Sequence, residues 1–77
     1  MMGPMHASAL AIITMRREVA DRYVRMTRLW LAAHHAYRRL HASPVKNLTA
    51  LRDAAQRLEQ LDRGRAALRS DLKALAD

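Results

Sequence analysis

Apolar residues recur along most of the chain at steps of three and four. The first run is Ala9, Ile12, Arg16, Val19, Tyr23, Met26, Trp30, Ala33, Tyr37 and Leu40. Such spacing keeps one side of an α-helix apolar and matches the seam of a coiled coil. The second run is Leu51, Ala54, Leu58, Leu61, Arg65, Leu68, Leu72 and Leu75, with the same steps. Between them the pattern stops at Ser43-Pro44, and proline does not continue a helix. The spacing therefore predicts helix 1 over residues 8–42, a turn over 43–47, and helix 2 running to 76. Two starts for helix 2 stand open. Ser43 caps it if Pro44 takes the first helical position, and Asn47 caps it if the helix begins at 48. Residues 1–7, with Gly3-Pro4 and no periodicity, read as a flexible arm, leaving 8–77 as a single hairpin.

An antiparallel register follows, because each a position of one helix then faces a d position of the other. Tyr23, Trp30 and Tyr37 are a positions of helix 1, with Val19, Met26, Ala33 and Leu40 at d. Leu51, Leu58, Arg65 and Leu72 are a positions of helix 2, with Ala54, Leu61, Leu68 and Leu75 at d. The layers become Leu40–Leu51, Tyr37–Ala54, Ala33–Leu58, Trp30–Leu61, Met26–Arg65, Tyr23–Leu68, Val19–Leu72 and Arg16–Leu75. Small residues face large ones at Tyr37–Ala54 and Ala33–Leu58, as good core packing requires. The midpoint of this register falls at 45–46, inside the turn. The expected fold is all-α: a coiled-coil-like antiparallel hairpin.

A hairpin covers one stripe on each helix, and helix 1 carries more apolar surface than that. Ile13 and Ala20 lie on one flank of the seam, Met15, Leu29 and Ala36 on the other, and Leu10, Val24 and Leu31 further round. A contiguous apolar band in water marks a protein interface. Leu10, Ile13, Val24, Leu29 and Leu31 are thus the expected partner surface. A homodimer forming a four-helix bundle, or a heteromeric protein partner, covers it.

Composition supports this picture. Ala and Leu dominate the apolar residues, Phe is absent, and Gly and Pro number two each. That mix favours long helices over sheets. With 77 residues the chain is short for a robust independent core. It has no cysteine, which removes disulfides and thiolate metal sites as stabilisers. The run Ala7–Met15 is too short to span a bilayer and lacks a preceding basic region, so a cytoplasmic location is expected.

The formal net charge is +7. Residues 1–45 hold seven Arg against Glu18 and Asp21, so most of the excess sits in helix 1. Such a balance favours acidic partners: nucleic acid, an anionic membrane surface or an acidic protein. Arg17, Arg22, Arg25, Arg28, Arg38 and Arg39 are the candidate nucleic-acid contacts. They are spread around the helix, whereas nucleic-acid binding prefers a basic ridge. Acid-first pairs four apart, Glu18–Arg22, Asp21–Arg25, Asp53–Arg57 and Glu59–Arg63, are expected on exposed faces.

Few residues suggest chemistry. Arg65 sits on an apolar seam, where the favoured expectation is that its stem covers apolar surface while the guanidinium reaches water. The alternative is a cation–π contact with Tyr23 or Trp30. Arg16 raises the same question, with Asp71 or Asp77 as candidate partners. His34, His35 and His41 cluster near the turn, but their spacing differs from that of a helical zinc-binding pair. They read as a polar, protonatable face. Gly64 lies beside the seam and either admits a close helix or is tolerated. No phosphate-binding glycine loop, nucleophile–base arrangement, metal site or cofactor motif is present, and a hairpin offers little concavity for a small-molecule substrate. The sequence therefore reads as a non-enzymatic interaction module: an adaptor, regulator, inhibitor or small subunit. The alternatives are a basic nucleic-acid-binding bundle and, more weakly, a protein of the anionic membrane surface.

Overall fold

The computed structural model describes the backbone of residues 4–76 and the side chains of 8–76. It holds two helices, α1 (Pro4–Ala42) and α2 (Leu48–Ala76), packed against each other. The molecule is a rod of 69 × 15 × 14 Å. Residues 1–3 of the expected arm lie outside the described residues, and α1 begins at Pro4, a residue suited to the first helical position.

Asn47, not Ser43, caps α2. Its side-chain oxygen accepts the Ala50 amide at 3.0 Å, and its carbonyl accepts the Leu51 amide at 2.9 Å. The first is an N-terminal amide that a helix leaves without an internal partner, and the second is the first regular bond of the helix. Ser43 works inside the turn instead, its hydroxyl donating to the Val45 carbonyl at 3.0 Å. The Lys46 ammonium donates to the His41 carbonyl at the end of α1. A cation there also meets the negative end of the helix dipole.

The helices run antiparallel in the expected register. Arg16 Nε donates to the Leu75 carbonyl at 2.7 Å, which is the expected outer layer. Deeper in, Arg65 Nε donates to Thr27 Oγ1 at 3.2 Å. Met26 lies against Gly64, where an added Cβ would meet its Cε at 3.1 Å. Val19, Tyr23, Met26, Trp30, Tyr37, Leu58, Leu68 and Leu72 are all half-buried on this seam. Leu61, opposite Trp30, is the one buried residue among those described, at 7% exposure.

The seam is shorter than its spacing suggested. Arg16 meets α2 one residue before that helix ends, so the first turns of α1 project beyond it. At 1.5 Å per residue, the ten-residue difference in helix length is about 15 Å. Ala9 and Ile12 hold seam positions by spacing, yet both are exposed because no α2 residue lies opposite. No helix among the described residues is long and apolar enough to cross a membrane.

Candidate interaction surface

Four of the five expected interface residues fall on one stripe. Leu10, Ile13, Val24 and Leu31 remain 53%, 47%, 47% and 45% exposed. Each lies on the run Leu10, Ile13, Arg17, Ala20, Val24, Thr27, Leu31, His34 and Arg38, which advances by three and four like the hairpin seam. Each member of this run follows a seam residue by one position, so the stripe lies beside the hairpin seam and repeats its spacing. It borders the hairpin on the side where Thr27 accepts Arg65.

Leu29, the fifth, belongs to the other flank. It lines a shallow hollow with Ala32, Ala33, Ala36, Ala54 and Arg57. Met15 and Val19 line a second with Asp71, Ala74 and Leu75. Alanine dominates the first hollow, which leaves it few large side chains to bury. Val45 and Leu48 are also exposed, at the turn. Spacing gave no sign of these two, because they lie outside both periodic runs.

Arg65 corrects the favoured expectation that it reaches solvent. Its guanidinium lies 4.7 Å from the Trp30 ring centroid and 5.7 Å from that of Tyr23, and its side chain is only 19% exposed. A place over two rings suits a weakly hydrated guanidinium cation. Thr27 Oγ1 accepts its Nε, and Asp62 Oδ1 stands 3.6 Å from its Nη1. A buried charge without such partners would be costly. Thr27 was not singled out by the sequence reading. The signal available was its place one residue beyond Met26, the layer partner of Arg65. The Trp30 indole N–H, on the same seam, is buried without a hydrogen-bond partner, which costs about 1–3 kcal/mol.

Arg16 meets neither carboxylate proposed for it within the described residues. It donates to the Leu75 carbonyl, one of the last carbonyls that α2 leaves unpaired. Asp77 lies outside the described residues.

Each histidine of interest packs near a neighbour's ring. His34 stacks on Trp30, with centroids 4.9 Å apart and planes 8° apart. His41 tilts against Tyr37 at 6.0 Å. His35 stands 6.4 Å from His34. Among the described residues no group of three or more His, Cys, Asp or Glu could hold a metal ion.

The ion pairs among the described residues are Glu59–Arg63 and Asp62–Arg65, both within α2. The expected pairs Glu18–Arg22, Asp21–Arg25 and Asp53–Arg57 do not close. The six candidate nucleic-acid contacts of α1, Arg17, Arg22, Arg25, Arg28, Arg38 and Arg39, therefore stand without a carboxylate partner among the described residues. Arg25 and Arg28 line an open depression with Asp21 and Val24. No protein-family model matches the chain, and no curated protein or solved structure matches it.

Proposed function

We propose that this chain is a non-enzymatic protein-interaction module that engages a partner through the second stripe of α1. The observation that carries the reading is the exposure of Leu10, Ile13, Val24 and Leu31 in one line, while among the described residues only Leu61 is buried. Fully burying a large aliphatic side chain contributes about 1.5–3 kcal/mol. The free energy left ungained on this stripe is therefore of the size that drives association. A chain of this length also has little core of its own. Completion to a four-helix bundle supplies the missing cover, and a cytoplasmic setting suits such a module.

Site-specific photocrosslinking in the native host tests the reading. A photoreactive residue replaces Leu31 in one variant and Gln56, on the outer side of α2, in another. A protein adduct is expected from position 31 and not from position 56. Equal labelling at both positions, or none at either, sinks the proposal.

A further inference from the structure

We infer that the occupant of the α1 stripe is an acidic amphipathic helix of a different protein, with its own apolar stripe bracketed by Glu or Asp. This inference rests on the interaction-module reading and names its partner by chemistry. The stripe carries its own cations. Arg17 follows Ile13 by four residues and precedes Ala20 by three. Arg28 stands in the same relation to Val24 and Leu31. Arg38 continues the run beyond His34. None of the three has a carboxylate partner among the described residues. The acid beside the stripe on α1 is Asp21, and on α2 Glu59 and Asp62 are each engaged by an arginine. A helix laid along this face therefore meets apolar side chains interrupted by Arg17 and Arg38, with Arg28 and Asp21 at one border.

A second copy of the chain, in the registers that pair the most apolar residues, fits the apolar part but not the charges. An antiparallel copy that sets Ile13 against Leu31 and Ala20 against Val24 places Arg17 beside Arg28 of that copy, at both ends of the contact. A parallel copy in register sets each arginine against itself. Like charges across such an interface are destabilising, whereas acids opposite these arginines satisfy them and speed encounter. A nucleic-acid duplex would use the arginines but leave Leu10, Ile13, Val24 and Leu31 without apolar cover.

The test uses the whole chain and three synthetic helical peptides that share one leucine–alanine stripe. Their flanking positions are all Glu, all Gln or all Lys. A random DNA duplex is the fourth probe. Fluorescence anisotropy reads binding, and light scattering reads the mass of the chain alone. The Glu peptide is expected to bind at least about tenfold more tightly than the Gln peptide, with the gain shrinking as salt is raised. Leu31→Glu abolishes that binding. The double variant Arg17→Glu/Arg28→Glu transfers the preference to the Lys peptide, an exchange that misfolding cannot produce. Equal binding of all three peptides, lost in Leu31→Glu, overturns the acidic partner but leaves an interaction module. So does a Leu31-dependent dimer that ignores every peptide. A monomer that ignores every peptide overturns both readings. Tighter binding of the duplex, unchanged by Leu31→Glu, overturns both as well.

Discussion

The guanidinium of Arg65 lies over the ring of Trp30, 4.7 Å from its centroid, in the layer next to the buried Leu61. A cation thus occupies the middle of a largely apolar seam. It is held there by the rings of Trp30 and Tyr23 and by the Thr27 hydroxyl. The contribution of Asp62 is discounted, because its carboxylate is 59% exposed and the pair is screened by water. Arg65→Ala removes the cation–π contact and the stem that covers the seam. The expected loss is about 1–2 kcal/mol, read from urea denaturation, with a shift in Trp30 fluorescence. Arg65→Lys should fail to restore the wild-type spectrum, because an ammonium does not stack. Full recovery by lysine would show that charge alone matters there.

Gly64 faces Met26 on the same seam. A Cβ added at Gly64 would stand 3.1 Å from Met26 Cε and 3.4 Å from its Sδ. Those atoms are the far end of a flexible side chain, so they can move by the few tenths of an ångström required. Gly64 has no positive φ to preserve. Gly64→Ala therefore gains helix propensity, worth about 1 kcal/mol, against a small repacking cost. A higher Tm is expected by circular dichroism. Gly64→Leu should lower it, because the larger side chain separates the helices. A lower Tm for alanine would mean that Met26 has no room to yield.

Much of this fold was legible in the residues, and the reason is periodicity. Steps of three and four fixed which side of each helix faces the other, and the midpoint at 45–46 fixed the hairpin. The structure follows that register from Arg16–Leu75 inward. What spacing did not resolve was the choice among chemically equivalent local options. Ser43 and Asn47 are both good caps, and only the chain path through Pro44 and Val45 selects Asn47. Spacing put Arg65 between Tyr23 and Trp30 but said nothing of its rotamer, which depends on the Thr27 oxygen nearby. Exposed acid–base pairs four apart are worth a few tenths of a kcal/mol, too little for their spacing alone to dictate closure. The stripe Leu10, Ile13, Val24 and Leu31 was legible as apolar surface. Leu29 was placed on the opposite flank by spacing alone, and the structure adds that the stripe stays exposed beside the seam.

The cap makes its own prediction. Asn47→Ala leaves the Ala50 amide without its side-chain acceptor and should cost about 1 kcal/mol. Ser43→Ala removes only a hydroxyl bond within an exposed turn, so its effect should stay within about 0.5 kcal/mol. Denaturation midpoints of the two variants decide between the caps. A larger loss at Ser43 would move the start of α2 back to Pro44.

Leu61 and Leu31 carry the same side chain in opposite circumstances, and that contrast separates folding from association. Leu61 is 7% exposed against Trp30, whereas Leu31 is 45% exposed on the stripe. Leu61→Ala opens a space in the layer of Trp30 and should cost about 2–4 kcal/mol. In a small hairpin that loss is comparable to the whole stability of the isolated chain, so the dilute variant should be largely unfolded by far-ultraviolet circular dichroism. Leu31→Ala changes little in the dilute chain, within about 0.5 kcal/mol. Its effect should appear only when a partner is bound. A ligand that binds the folded state alone raises apparent stability in proportion to the logarithm of its concentration. The Glu-flanked peptide should therefore raise the Tm of the wild-type chain as its concentration grows, and should refold Leu61→Ala in part. Leu31→Ala should show a much weaker rise. If Leu31→Ala instead destabilises the dilute, partner-free chain as much as Leu61→Ala does, the stripe belongs to the hairpin's own core and not to an interface.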